Sequence, residues 1–457
     1  MRPRVQMLLL ALLVGLLAGL SAVVFYVLCE AAVHAALDGL AGYRPPYPAG
    51  EPPLWPATAQ PLRPWLLILL PAVGGLITGR LVFLLAPEAE GHGTDAAIAA
   101  FHNQEGRVRL RASLVKMIAS PVTLGTGGSG GREGPMSQIG AGLGSWVGRL
   151  FHCRPAEVRA LMAAGMGAGV AAIFRTPLAG ALFAGEILYR SADIEGSVIV
   201  PAALACTTAY CLFGTMFGWT PLLALPPVGP EALTFHDPRH LAAYSLLALA
   251  MIVLAAVFKQ TFSRVTALFR CWTLPPHLKP AVGGLASGVV GVSLYFLLAK
   301  DPQVLGVLGT GYGALQSAMT AGVSGSTDLV LARVLLAIAL GKILTTSLTI
   351  GSGGSAGVFG PSMVIGGCGG GALGLWLHAW RPDVMPHPVS CALVGMAGFF
   401  AAAAKAPIST LAFVMEMTGS FGLLLPTLWV SVLAFLFSDR QSLFHSQVDR
   451  RAHSEVH

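Results

Sequence analysis

The sequence predicts an all-α polytopic membrane protein made of two related halves. Three observations carry that prediction: the composition, a series of long apolar runs, and one glycine-rich phrase that occurs twice. Of 457 residues, 54% are hydrophobic and only 11% are charged, whereas soluble domains carry about 25% charged residues. So little polar surface cannot cover a soluble protein of this length. Apolar runs recur at 5–29, 65–86, 241–257, 281–299, 328–345 and 420–437. Such runs read as membrane helices, because a helix satisfies its own backbone in a solvent that offers no hydrogen bonds.

The run at 5–29 follows Arg2 and Arg4, as the apolar core of a signal peptide would. It is too long for that core and lacks a convincing small-residue cleavage site, so it reads as a span. Arg2 and Arg4 at one end, and Arg440, Arg450 and Arg451 at the other, place both termini in the cytoplasm by the positive-inside rule. The net charge of +7 is modest, and basic tails beside a membrane do not point to nucleic acid. Seven cysteines (29, 153, 206, 211, 271, 368 and 391) show no metal-ligand spacing. They read as small packing residues.

A Pro-rich stretch at 220–239 divides the chain. The expected organisation is a first membrane half at 1–219, this connection, a second membrane half at 240–446, and a short tail at 447–457 with no large regulatory domain. The halves match in order. GHGTDAAI (91–98) resembles GTGYGALQ (309–316), and GTGGSGGREGP (125–135) resembles GSGGSAGVFGP (351–361). Lys116 and Lys342 each precede their glycine run by nine residues. MGAGVAAIFRTPLAGALFAGE (166–186) then matches MAGFFAAAAKAPISTLAFVME (396–416), which sets Glu186 on Glu416. An ordered internal match of this length is a duplication. With both termini on one side, each half crosses an odd number of times, so the copies are expected to be inverted.

Gly-rich, Pro-containing breaks inside apolar sequence imply helices that stop and restart within the protein, as in transporters with repeated halves. Non-helical backbone at membrane depth is tolerated only when buried or lining a cavity. A restarted helix presents free N–H groups and the positive end of its dipole, which together make an anion site. The proline of each Gly-Pro suits the first turn of the new helix. Two other readings compete: close helix packing by small residues, and a nucleotide-binding loop. The second lacks the Gly-Lys-Ser/Thr such a loop requires. The copies differ where it matters most, with Glu133 in one and Phe359 in the other. A carboxylate among helix N-termini competes with a permeant anion, and protonation releases it, so Glu133 is the candidate gate. The competing structural reading pairs Glu133 with the adjacent Arg132.

The paired GREGP (131–135) and GVFGP (357–361) resemble the CLC family of chloride channels and chloride/proton antiporters, over about 91–446. The resemblance implies a homodimer in a bacterial inner (plasma) membrane, with one anion pathway per subunit and inversely repeated, tilted, broken helices. It also implies Glu133 as the gate and an anion held near His92, Gly93, Arg132, Gly134, Val358, Phe359 and Phe444. Three departures stand out. The family's GSGIP reads GHGTD here, so a serine is replaced by His92. A tyrosine is replaced by Phe444. The second acid after the PLAG segment, an internal proton acceptor, is replaced by Ile187, which leaves Glu186 as the possible proton carrier or a structural residue.

These losses favour passive, channel-like conduction of chloride or a similar small anion. The alternatives are a chloride/proton antiporter and a carrier for another anion such as fluoride or nitrate. His92 could titrate near neutral pH and strengthen anion binding, or stay neutral as a hydrogen-bonded cap. A membrane-embedded enzyme finds no Ser/His/Asp set, paired carboxylates or metal cluster in the apolar segments. No metal and no cofactor is expected beyond chloride as the bound permeant ion, in a lipid bilayer.

Overall fold

The computed structural model describes residues 3–225, 233–320, 329–385, 387–454 and 456. Part of the 220–239 connection and the residues at the two extreme ends therefore lie outside the described residues. The described chain is a single apolar body of helices with no strands among the described residues. The first half supplies α1 (Pro3–Val33), α2 (Pro64–Leu85), α3 (Thr94–Asn103), α4 (Leu110–Gly125), α5 (Glu133–Leu150), α6 (Pro155–Phe174), α7 (Pro177–Glu186) and α8 (Gly196–Phe217). The second supplies α9 (Leu241–Cys271), α10 (Lys279–Leu297), α11 (Tyr312–Thr320), α12 (Leu329–Gly351), α13 (Phe359–Trp380), α14 (Pro388–Ala404), α15 (Pro407–Thr418) and α16 (Leu424–Phe437). The two sets pair in order, α1 with α9 through α8 with α16.

Seven helices are long and apolar enough to cross a membrane, among them α6 and α8, which the list of apolar runs had passed over. Both are rich in alanine, glycine and other small residues, and α6 is almost wholly buried. For α6 the reason is burial: hydropathy finds helices that face lipid and undercounts inner ones, whose small residues serve close packing. The run at 420–437 behaves the other way. It yields α16 (Leu424–Phe437) of only 14 residues, short of a full span.

Packing of α5 on α6 is backbone to backbone. A Cβ on Gly140 would lie 2.0 Å from the Gly165 carbonyl oxygen, and one on Gly165 would lie 2.2 Å from that of Gly140. The matching pair, α13 on α14, repeats the device at Gly366 and Gly395, each 2.6 Å from the other's carbonyl oxygen. Lipid tails give helices little hydrophobic reason to associate, so close contact of this kind holds the bundle.

Cross-repeat contacts come in reciprocal pairs, which makes the inverted repeat explicit. Gly131 N donates to Gly357 O, and Gly357 N to Gly131 O, both at 2.7 Å, in an antiparallel bridge. Ser129 bonds Thr346 at 2.9 Å, and its repeat mate Ser355 bonds Ser120 at 2.9 Å. The basic residues that end α6 and α14, Arg175 and Lys405, are both left-handed (φ 60° and 61°). Each donates to carbonyls at the end of the last helix of its own half: Arg175 to Phe217, Lys405 to Phe435 and Ser438. A cation at a helix C-terminus meets the negative end of the dipole.

Candidate anion pathway

Four short turns converge where the halves meet, and each opens a helix. The Gly131–Gly357 bridge sets the starts of α5 and α13 side by side. Gly134, in the first turn of α5, lies so close to the loop before α3 that a Cβ there would sit 2.1 Å from His92 O and 2.7 Å from Gly357 Cα. No residue but glycine allows that approach. A Cβ on Gly93, the residue before α3, would fall 2.7 Å from Gly134 O. The first residue of α11, Tyr312, reaches the same place from the second half.

Glu133 fills the space these turns enclose. It is 2% exposed. Its Oε2 accepts the backbone N–H of Gly360 at 3.1 Å, in the first turn of α13, and its Oε1 accepts the hydroxyl of Tyr312. Val358 and Phe359 open the same turn, where N–H groups have no intrahelical partner. The carboxylate thus sits where the sequence argument put an anion, at a helix N-terminus of the opposite repeat.

Arg132 does not pair with Glu133. Its guanidinium donates to Glu51 at 2.6 Å, with both side chains buried, and lies over the rings of Tyr26 (5.4 Å) and Tyr312 (5.5 Å). One guanidinium nitrogen is thus committed to a carboxylate, while Nε is buried without a hydrogen-bond partner. Phe359 packs in an aromatic box with Phe400, Phe174 and Phe413 at centroid distances of 4.4, 4.8 and 4.8 Å.

His92 and Phe444 meet at 5.4 Å, with Phe262 on the other side at 6.3 Å. The His92 Nδ1 is buried without a hydrogen-bond partner. Beside it opens a cavity of about 740 Å³, with Asp95, Arg270, Lys279 and His445 among its lining. Two buried lysines stand behind these loops. Lys116 Nζ donates to Gly91 O (2.6 Å) and Ala89 O (3.0 Å), and Lys342 Nζ donates to Gly309 O (2.7 Å). They are repeat mates holding repeat-mate loops.

Glu186 is held elsewhere. Its two oxygens accept the N–H groups of Ile408 (2.9 Å) and Ser409 (2.6 Å) at the start of α15. Glu416 returns the contact to Leu178 (3.1 Å) and Ala179 (2.8 Å) at the start of α7. Ile187 is fully buried. The structure thus gathers Glu133, His92, Gly93, Gly134, Val358, Phe359 and Phe444 around the α5 and α13 termini, and gives Glu186 a capping partner in the other half. Sequence reasoning missed Tyr312 and Glu51. Tyr312 lay inside the aligned GTGYGALQ phrase, whereas nothing in the Pro-rich 44–62 segment marked Glu51.

Residues 74–439 match the model of the voltage gated chloride channel family. The chain belongs to that family. It is 30% identical over 438 residues to the H(+)/Cl(-) exchange transporter ClcA of Vibrio cholerae, covering 95% of this chain and 86% of that one. A ClcB-like protein of Ralstonia nicotianae, provisionally named a chloride channel, is 30% identical over 384 residues, covering 83% of this chain and 84% of its own. The solved structure of a slow cyanobacterial Cl-/H+ antiporter shares the CLC fold with a TM-score of 0.76 at 23% identity, over 95% of this chain and 94% of that chain.

Proposed function

We propose that the chain exchanges chloride, or a similar small anion, for protons, with Glu133 as the gate. The observation that carries this reading is the Glu133 carboxylate on the Gly360 N–H at the start of α13. Ionised, it occupies the donors a permeant anion would use. Protonated, it loses most of that attraction and yields the place, so one side chain binds either a proton or a vacated anion site. The N–H groups of Val358 and Phe359 then hold the anion, and chloride is itself the bound species.

Passive conduction, favoured from the sequence, is less well supported than its alternative. A relative that covers 95% of this chain is named an exchange transporter. The missing acid at Ile187 argued for conduction, and Glu186 is a poor stand-in because both its oxygens are engaged at α15. A second reading concerns selectivity. His92 and Phe444 stand in contact at positions where the family carries hydroxyl donors, which suits a carrier for fluoride or nitrate. The same scheme has the chain as a homodimer in the inner membrane with cytoplasmic termini.

Purified protein in liposomes under a chloride gradient tests the proposal, with chloride and proton movement recorded together. Uphill proton movement at a fixed ratio to chloride is expected, and a panel with fluoride and nitrate ranks the anions. Chloride flux with no proton movement would return the channel reading.

A further inference from the structure

We propose that Tyr312 is a positioning residue for the gate: its hydroxyl holds the Glu133 carboxylate across the start of α13 and sets how readily that side chain leaves the anion path. The inference rests on the gate reading above and concerns a residue outside the duplicated glycine phrase. Tyr312 is 1% exposed and begins α11, a helix of the second half, so it reaches the gate from across the repeat boundary. A Cβ on Gly360 would lie 2.4 Å from the Tyr312 hydroxyl and 3.0 Å from Glu133 Oε2. Hydroxyl, carboxylate and backbone thus meet in a space that tolerates no methyl group.

The phenol is not free to swing away. Arg132 lies over its face, and that guanidinium is tied to Glu51 by a buried ion pair. Phe174 meets its ring edge-on at 6.3 Å. Glu51 comes from the Pro-rich segment before α2, which is pinned over α11: a Cβ on Gly313 would lie 2.1 Å from Pro46 O. The repeat mate of Tyr312 is Thr94, whose short side chain lacks the phenol's reach; it opens α3, beside Gly134 of the Glu133 turn. The tyrosine stands in the copy that faces the acid.

A donor to an ionised carboxylate favours the ionised, seated form. Removing it should free the gate and move acid activation to higher pH. Besides Tyr312, the charged and titratable groups that act on Glu133 are Arg132, Lys342 and Cys29, with Glu51, Tyr26 and Glu30 around Arg132, and Tyr312→Phe leaves every one of them in place while keeping the ring that Arg132 covers.

The test is chloride efflux from liposomes between about pH 4.5 and 8 for the wild type, Tyr312→Phe, Glu133→Gln and the double variant. Tyr312→Phe should be roughly tenfold faster near neutral pH, with its activation midpoint at higher pH. The double variant should match Glu133→Gln alone. Gly360→Ala, which drives a methyl between the same oxygens, is the second variant and should move the midpoint the same way. A silent Tyr312→Phe beside an effective Glu133→Gln overturns this inference alone, and so does equal acceleration by Tyr312→Phe with glutamine at 133. If Glu133→Gln leaves flux and pH dependence untouched, the gate reading falls and takes this one with it.

Discussion

The turn before α5 and the turn before α13 share one backbone and differ in one side chain. Gly127 and Gly353 take the same left-handed conformation, at φ 100° and 102°, and Gly131 and Gly357 bond each other twice. Yet one helix begins with Glu133, set against a tyrosine hydroxyl and a backbone N–H, and the other with Phe359, set among phenylalanines. Symmetry survives where the main chain does the work of building facing helix N-termini. It breaks where a titratable group is wanted once. Two carboxylates there would repel each other and crowd out the anion; two phenylalanines would leave nothing to answer a proton.

The largest effect should come from removing that difference. Glu133→Gln makes the first turn neutral like the second. Proton movement should fall to background in the liposome assay, and chloride flux at pH 7 should rise roughly tenfold and lose its pH dependence. Persistent proton transport would show that the asymmetry of the two turns is not what couples the ions.

Next in size are the two buried lysines, where the halves are alike. Lys116→Met and Lys342→Met each strand loop carbonyls that the ammonium now satisfies. An unsatisfied buried group costs about 1–3 kcal/mol, so both variants should lose several degrees of thermal stability in detergent, by similar amounts. Chloride affinity by calorimetry should fall in both, since each lysine holds the carbonyls of a loop that shapes the proposed anion site. A loss confined to one would mean the loops they hold have diverged in function as well as sequence.

Much of this frame was legible in the sequence because duplication writes itself in residue order. The glycine phrase marked both turns, and the Gly-Pro pairs marked where α5 and α13 begin. What escaped has physical reasons. Helix α6 carries alanine and glycine because it packs against other helices on nearly every side, so its hydropathy is weak. Arg132 precedes Glu133 in the chain, and adjacency suggested an ion pair. At a helix start consecutive side chains diverge, and Arg132 found Glu51, about eighty residues earlier, in a segment with no periodic pattern. Tyr312 sat in plain view inside a matched phrase, but only the fold brings α11 to α5.

The reciprocal caps give a smaller, cleaner contrast. Glu186 and Glu416 do the same thing for each other's halves, each carboxylate receiving two N–H groups at a helix start. Glu186→Gln and Glu416→Gln should each cost about 1 kcal/mol, read as a modest and matching fall in thermal midpoint. The proton-to-chloride ratio should be unchanged in both. If Glu186→Gln alone abolished proton movement, the first half would hold a second broken symmetry and the capping role would be secondary.

The smallest effect is expected at His92, which tests whether the frame hides another titrating group. It lies in the loop between α2 and α3, outside the seven long helices, and its repeat mate is Thr310. Burial between the rings of Phe262 and Phe444 pushes its imidazole below its usual range, against the weaker pull of Asp95. A histidine held down in this way stays neutral through the range in which an ordinary one would charge. On that direction His92 is expected to act as a neutral polar group beside the proposed anion path. His92→Ala should leave the pH profile of flux between about 5 and 8 in place and change apparent chloride affinity by no more than about tenfold, the upper worth of a single neutral hydrogen bond. A displaced profile would mean that the first half answers protons at two places, and that the contrast between Glu133 and Phe359 is only part of the mechanism.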